Sequence, residues 1–176
     1  LMSDPRLVLT VVAISAPWFA AIVAAITQSQ ARAVGFSASF ISLVASMLLL
    51  NTTSAAESLN AALMVLFSSV TLGATLVLPR RDCNSRTMGG MLFLLGSTLL
   101  GYSAGNLLVL LAAWILTTVP FYLPRLFRAL WRPRVSLFVS SAALTLAIGI
   151  IAVSSRSLTI HELRGKSPGG IAAFAL

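Results

Sequence analysis

The sequence from Gly101 to Pro124, GYSAGNLLVLLAAWILTTVPFYLP, decides the fold of this chain. Extended back to Thr87, the stretch holds no Asp, Glu, Lys, Arg or His over 38 residues. A helix of about 20 apolar residues crosses the hydrocarbon core of a bilayer, so the stretch has room for two crossings. Its middle, YSAGN at 102–106, contains the residue types that favour a chain reversal. The stretch therefore predicts a hairpin of two transmembrane helices.

The composition of the whole chain favours a lipid environment. Of its 176 residues, 58% are hydrophobic and 9% are charged, whereas a soluble domain carries about 25% charged residues. The net charge of +8 could indicate nucleic-acid binding. The basic residues, however, lie in short gaps between apolar runs, which is typical of the ends of membrane-spanning helices. We therefore expect the lipid bilayer as a partner and exclude nucleic acid.

The apolar runs predict an all-α fold, a polytopic transmembrane bundle of about six helices in a single domain over residues 1–176. The predicted helices cover residues 7–30, 33–50, 59–78, 87–102, 106–123 and 135–153, and a seventh begins near 169. The sequence stops inside this last apolar run, GGIAAFAL, so we expect the chain to be a fragment of a longer subunit.

Pro17 lies in the middle of the first predicted helix. A proline frees one carbonyl in the preceding turn, and in lipid a neighbouring helix or a hydroxyl can bond to that carbonyl. We therefore predict a kinked helix rather than a broken one. A cleaved signal peptide is the alternative, but the run is long and no A-x-A-like site precedes a polar segment.

The basic residues predict an orientation, because they are enriched in cytoplasmic loops. If all six helices span, eight basic residues share the side of the loops after helices one, three and five: Arg32, Arg80, Arg81, Arg86, Arg125, Arg128, Arg132 and Arg134. The other side carries four. We predict an integral protein of the bacterial inner membrane with its N-terminus outside, and a cytoplasmic basic loop formed by the last four arginines.

No catalytic, cofactor-binding or metal-binding constellation is recognisable in the sequence. The acidic residues, which number four, lie in predicted loops or at helix ends. His161 stands alone, and the single cysteine, Cys83, can form no internal disulfide. Whether the chain belongs to an enzyme is left open.

The predicted helices contain polar residues but no Asp, Glu, Lys or His, which favours a packing or scaffold role. The polar residues could line a water path, or they could form hydrogen bonds between helices, the interpretation that we favour. They are Asn60, Ser97, Tyr102, Asn106, Thr117 and Thr118.

Three segments carry a family resemblance. They are NLLVL at 106–110 followed by Trp114, ILTTVPFYL at 115–123, and SLTIHEL at 157–163. Their order resembles the antiporter-like membrane subunits of respiratory complex I and of multi-subunit cation/proton antiporters. The resemblance implies a membrane subunit of a proton-coupled complex, which works beside other membrane or peripheral subunits. It also implies a helix-five wall made of Asn106, Trp114, Ile115, Thr117 and Thr118.

One departure from that family concerns proton transfer. In its proton-pumping members a membrane-embedded glutamate follows the tryptophan, and here that position is Ile115. The chain resembles equally the membrane subunits of complexes that accumulate inorganic carbon. The resemblance thus implies proton or ion translocation or inorganic-carbon uptake, and the alternative is a non-transporting structural subunit of a larger membrane assembly.

Overall fold

A computed structural model describes residues 5–27, 30–53, 58–79, 83–122, 131–155 and 159–160. These residues form six α-helices: α1 (Pro5–Ile26), α2 (Ala31–Thr52), α3 (Ser58–Val77), α4 (Ser85–Tyr102), α5 (Leu107–Tyr122) and α6 (Trp131–Ser155). The predicted all-α fold is confirmed. The seventh helix predicted near 169 lies outside the described residues.

Three of these helices, α1, α2 and α3, are long and apolar enough to cross a membrane. The apolar segments Leu107–Phe121 and Val135–Ile151 are shorter. The three candidate spans fit a membrane protein, while crossings by the fourth, fifth and sixth helices stay predictions.

The helix boundaries differ from the predicted ones by at most four residues. The largest differences are that α1 ends at Ile26 rather than 30 and that α6 begins at Trp131 rather than 135. The predicted sixth helix began after Pro133, whereas α6 includes this proline in its first turn. Proline is tolerated there because a backbone N–H in the first turn of a helix has no intrahelical partner.

The chain divides into two compact units, Leu1–Ser103 and Ala104–Leu176. The first unit contains α1 to α4 in an up-and-down order, with α1 packed on α2 and α4, and α3 packed on α2 and α4. In the second unit α5 contacts α6, and the N–H of Ile160 donates to the carbonyl of Gly105.

The structure confirms that α1 continues through Pro17, which is buried. The carbonyl that Pro17 cannot reach belongs to Ala13, four residues earlier in the helix. The hydroxyl of Ser42 in α2 donates to that carbonyl at 3.0 Å. The hydrogen bond removed by the proline is therefore replaced from the neighbouring helix.

The inward face of α2 consists almost entirely of small residues, which allow helices to approach closely. They recur every three or four positions along the helix, the period of one helical face. The buried residues of α2 are Ala31, Gly35, Ala38, Ser39, Ser42, Ala45, Ser46 and Leu49.

Two clusters of buried side chains fill the first unit at different depths. One contains Ala13, Ala45, Leu49, Met64, Leu95 and Leu99. The other contains Ala24, Ala31, Ala38, Met88 and Leu92. Because alanines from α1 and α2 meet methionine and leucine from α3 and α4, small residues face large ones across the interfaces.

The outward faces of α1 and α2 carry large apolar side chains instead. Phe19 is 69% exposed and Ile22 60% on α1, and Phe40 is 49% exposed on α2. An outer surface made of large apolar residues is suited to lipid, because water would leave this apolar surface unfavourably hydrated.

Candidate functional site

Asn106, predicted to belong to a wall of helix five, caps the N-terminus of α5. Its side-chain Oδ1 accepts a hydrogen bond from the N–H of Leu108 at 2.9 Å, and its carbonyl accepts from the N–H of Leu110 at 3.0 Å. Its backbone also forms an antiparallel bridge with Thr159. Asparagine is among the preferred N-cap residues, so this side chain has a structural task at the beginning of α5.

The two threonines of the predicted wall bond to their own helix. The hydroxyl of Thr117 donates to the carbonyl of Trp114 at 2.6 Å, and that of Thr118 donates to the carbonyl of Ile115 at 2.7 Å. The Ser97 hydroxyl of α4 likewise donates to the carbonyl of Phe93. For these three residues the prediction of hydrogen bonds between helices is wrong, because each hydroxyl donates to a carbonyl one turn back in its own helix.

Trp114 and Ile115, the apolar members of the wall, are partly exposed. Trp114 is 39% exposed and Ile115 is 46% exposed, whereas Thr118 is buried. The five predicted residues therefore divide into a helix cap, two hydroxyls bonded within α5 and two exposed apolar side chains.

The predicted basic loop is only partly a loop. Arg132 and Arg134 belong to the first turn of α6, which corrects their placement in a loop before the sixth helix. Arg125 and Arg128 lie outside the described residues.

The sequence predicted Arg32 only as a loop charge, but the structure gives it a defined contact. Its Nη2 donates to the carbonyl of Leu76 in the last turn of α3 at 2.9 Å. The last carbonyls of a helix lack intrahelical partners, and a cation there is favourable. Arg32 thus joins the beginning of α2 to the end of α3.

A groove opens beside this contact, with a volume of about 750 Å³. We call it the Arg32 groove and define it by Gln30, Arg32, Phe36, Thr75, Leu76 and Cys83. These six residues comprise a cation, two neutral polar side chains, a thiol and two apolar side chains. Arg32 and Leu76 are 44 residues apart in the sequence, so no local sequence motif could have predicted their contact.

The groove lies at one end of the first unit, which we call the basic end. This end holds the C-termini of α1 and α3 and the N-termini of α2 and α4. The hydrogen bond from the Ser85 hydroxyl to the Ala24 carbonyl joins the start of α4 to the end of α1, and the Arg32–Leu76 hydrogen bond joins the start of α2 to the end of α3. Asn84 caps α4 there by accepting from the N–H of Thr87 at 2.8 Å. The basic end therefore brings Arg32 and Arg86 to the same side of the unit.

Among the described residues of the first unit, four buried polar atoms make no hydrogen bond. They are the hydroxyls of Ser39, Ser46 and Ser68 and the indole Nε1 of Trp18. Ser39 and Ser46 lie two turns apart on the inward face of α2, and Ser68 lies on α3, which packs against α2. Among the described residues no three metal-ligating side chains come together.

Comparison with known proteins adds no relative, since no family model, no curated protein and no solved structure matches the chain.

Proposed function

We propose that this chain is a structural subunit embedded in a membrane, where its helices hold other membrane proteins in a larger assembly. The observation that carries the proposal is the distribution of side-chain size on α2, small on its inward face and large and apolar on its exposed face. Such packing is the means by which helices associate in lipid, where burial of apolar surface gives no driving force.

The second unit supports the same proposal. Along α5 the residues Leu108, Ala112, Ile115 and Val119 are exposed and recur every three or four positions. Their stripe is apolar, and the neighbouring threonine hydroxyls are already bonded within α5. An apolar stripe of this kind is suited to lipid or to the apolar face of another membrane helix.

For the location we propose the bacterial inner membrane with the basic end in the cytoplasm. Arg32 and Arg86 lie at that end, and Pro5, where α1 begins, lies at the other. Positive residues favour the cytoplasmic side, so this orientation places the N-terminus outside.

A second candidate is an antiporter-like subunit that translocates protons or ions or takes up inorganic carbon. The buried hydroxyls of Ser39, Ser46 and Ser68 favour it, because unpartnered hydroxyls in a bundle interior could hold water molecules in a path. The family resemblance around Trp114 favours it as well.

Reconstitution in liposomes tests the two candidates. The purified protein is inserted into liposomes that contain a pH-sensitive dye, and a pH gradient is imposed. A structural subunit should leave the decay of the gradient at the rate of protein-free liposomes. Faster decay that is lost in the Ser39→Ala variant would contradict the structural proposal and support the translocating one.

The variant Ile115→Glu separates the candidates at a single site. Under the structural proposal Ile115 contacts lipid or an apolar partner, and a carboxylate there costs about 2.5–3.5 kcal/mol in insertion. We expect reduced membrane insertion, measured as the fraction of protein resistant to alkaline carbonate extraction. The isosteric control Ile115→Gln should insert better, whereas full insertion of the glutamate variant would indicate a polar interior at this site.

A further inference from the structure

We propose that the Arg32 groove binds an anionic phospholipid, with the phosphate on Arg32 and Gln30 and one acyl chain along Phe36 and Phe40. The inference rests on the proposed membrane location, and it adds a specific ligand to that function.

The Arg32 guanidinium has more N–H donors than its contact with Leu76 uses. The hydrogen bond to the Leu76 carbonyl uses one N–H of the guanidinium, and a guanidinium has five. The remaining donors can bind phosphate oxygens, for which the planar guanidinium is well suited. Because Leu76 already fixes the side chain, little rotamer entropy remains to be lost when a phosphate binds.

A second polar group lies next to the arginine. Gln30 precedes the first residue of α2, and its side chain makes no capping hydrogen bond. It is exposed and lines the groove. Its amide can therefore donate to a phosphate or glycerol oxygen beside Arg32.

An apolar path leads away from Arg32 along α2. Arg32, Phe36 and Phe40 follow one another at intervals of four residues, so they lie on one face of α2. The two phenyl rings are stacked with centroids 6.2 Å apart, and they are 41% and 49% exposed. A charged head followed by an apolar track matches a phospholipid, whereas free phosphate would leave the apolar part of the groove unfilled.

Charge at this end of the unit supports an anionic headgroup. Arg86 lies at the basic end with Arg32, and the chain carries a net charge of +8. The cytoplasmic leaflet of a membrane is rich in anionic lipid, which attracts basic residues near its surface. The proposed orientation therefore places the groove in the cytoplasmic leaflet, where anionic phospholipid is available.

Cys83 provides the readout, because it lines the groove and is the only cysteine of the chain. The full chain is inserted into nanodiscs of phosphatidylcholine, alone or with phosphatidylglycerol of the same acyl chains. The rate at which a neutral maleimide modifies Cys83 is measured as the phosphatidylglycerol fraction rises. A bound lipid should cover the thiol, so we expect slower modification that saturates with phosphatidylglycerol.

The variants Arg32→Gln and Arg86→Gln form a matched pair. Loss of a charge-assisted hydrogen bond to the phosphate should raise the phosphatidylglycerol fraction needed for half-protection about tenfold in Arg32→Gln. Arg86 is exposed and does not line the groove, so Arg86→Gln should change that fraction less than about twofold. An equal effect of both substitutions would overturn the site, because it would indicate general surface charge.

Two further results would overturn the inference without any variant, so it stays testable if Arg32→Gln fails to fold. One is an equal modification rate in both kinds of nanodisc. The other is equal protection of Cys83 by soluble glycerol phosphate in phosphatidylcholine nanodiscs, which would identify a site for phosphate rather than for lipid.

Carbonate extraction of native membranes distinguishes failure of the lipid site from failure of the proposed function. Release of the chain by carbonate would contradict the membrane location itself. Retention in the membrane, together with labelling that does not depend on the lipid, would overturn the lipid site alone.

Discussion

Pro17 removes one backbone N–H from the middle of α1, and Ser42 of α2 supplies the missing donor. This pair shows how far single residues could be predicted. The sequence predicted that a hydroxyl or a neighbouring helix would bond to the freed carbonyl, but it could not name Ser42, because α2 offers several serines with similar spacing. The Asn106 cap, by contrast, was recognisable in principle, since asparagine directly before an apolar run is a signal for the start of a helix.

Substitution of Ser42 by alanine should leave the Ala13 carbonyl buried and unpaired. We expect a loss of about 1–3 kcal/mol in the free energy of unfolding, measured by denaturant titration in detergent micelles. Pro17→Ala restores the backbone donor, so the double variant should recover most of the loss. Ser39→Ala is the matched control, because Ser39 lies on the same face of α2 without a hydrogen-bond partner. If Ser39→Ala costs as much as Ser42→Ala, the hydrogen bond is not the cause.

Two glycines of the first unit should respond oppositely to alanine. A Cβ at Gly96 would overlap the indole of Trp18, whereas a Cβ at Gly73 meets no atom within 4 Å. We expect Gly96→Ala to destabilise the unit by about 1–3 kcal/mol through overpacking. Gly73→Ala should be neutral or stabilise by up to about 1 kcal/mol, because alanine has the higher helix propensity. Thermal unfolding of both variants in one detergent measures the difference, and a stabilising Gly96→Ala would contradict the close contact.

At the scale of the helices, the sequence predicted well which segments are helical, but it did not predict which face of each helix is buried. Long apolar runs identify helices by length alone, which is why the predicted boundaries agree within four residues. In a membrane helix nearly every face is apolar, so hydrophobic periodicity does not distinguish the inside from the outside. On α2 residue size makes that distinction, because the buried face is small and the exposed face carries Phe36, Phe40 and Met47.

The candidate site was harder to predict than the helices. Trp114 and Ile115 lie on α5, as predicted. The hydroxyls of Thr117 and Thr118 donate to carbonyls in the preceding turn of α5 rather than to another helix. The Arg32 groove was missed because it combines residues from three separated segments. Only the three-dimensional arrangement brings these residues together.

Enlarging a residue on the inward face of α2 should disrupt the unit, whereas enlarging its neighbour should not. Ala45 is 4% exposed and Val44 is 40% exposed. We expect Ala45→Leu to lower the free energy of unfolding by about 1–3 kcal/mol or more, and Val44→Leu to change it by less than about 0.5 kcal/mol. The same micelle titration measures both, and equal effects would mean that size does not define the inward face.

At the scale of the whole molecule, one thiol reports the orientation. Cys83 lies at the basic end, which we propose to be cytoplasmic. Because bound lipid slows the modification without preventing it, a membrane-impermeant thiol reagent should, after long exposure, modify Cys83 in inverted membrane vesicles and leave it unmodified in right-side-out vesicles. Full modification after detergent treatment of both preparations is the control. Modification only from the outside would place the N-terminus in the cytoplasm and reverse the proposed orientation.

The hydrogen bond between Ser42 and Ala13 also constrains how the chain is made. While α2 is still being synthesised, α1 has a carbonyl without a partner in its middle, and hydrocarbon cannot provide one. Under the proposed membrane location, we therefore expect the first helix to leave the translocation channel poorly on its own and more readily as a pair with α2. The earliest inserted intermediate that we expect is a two-helix hairpin rather than a single helix.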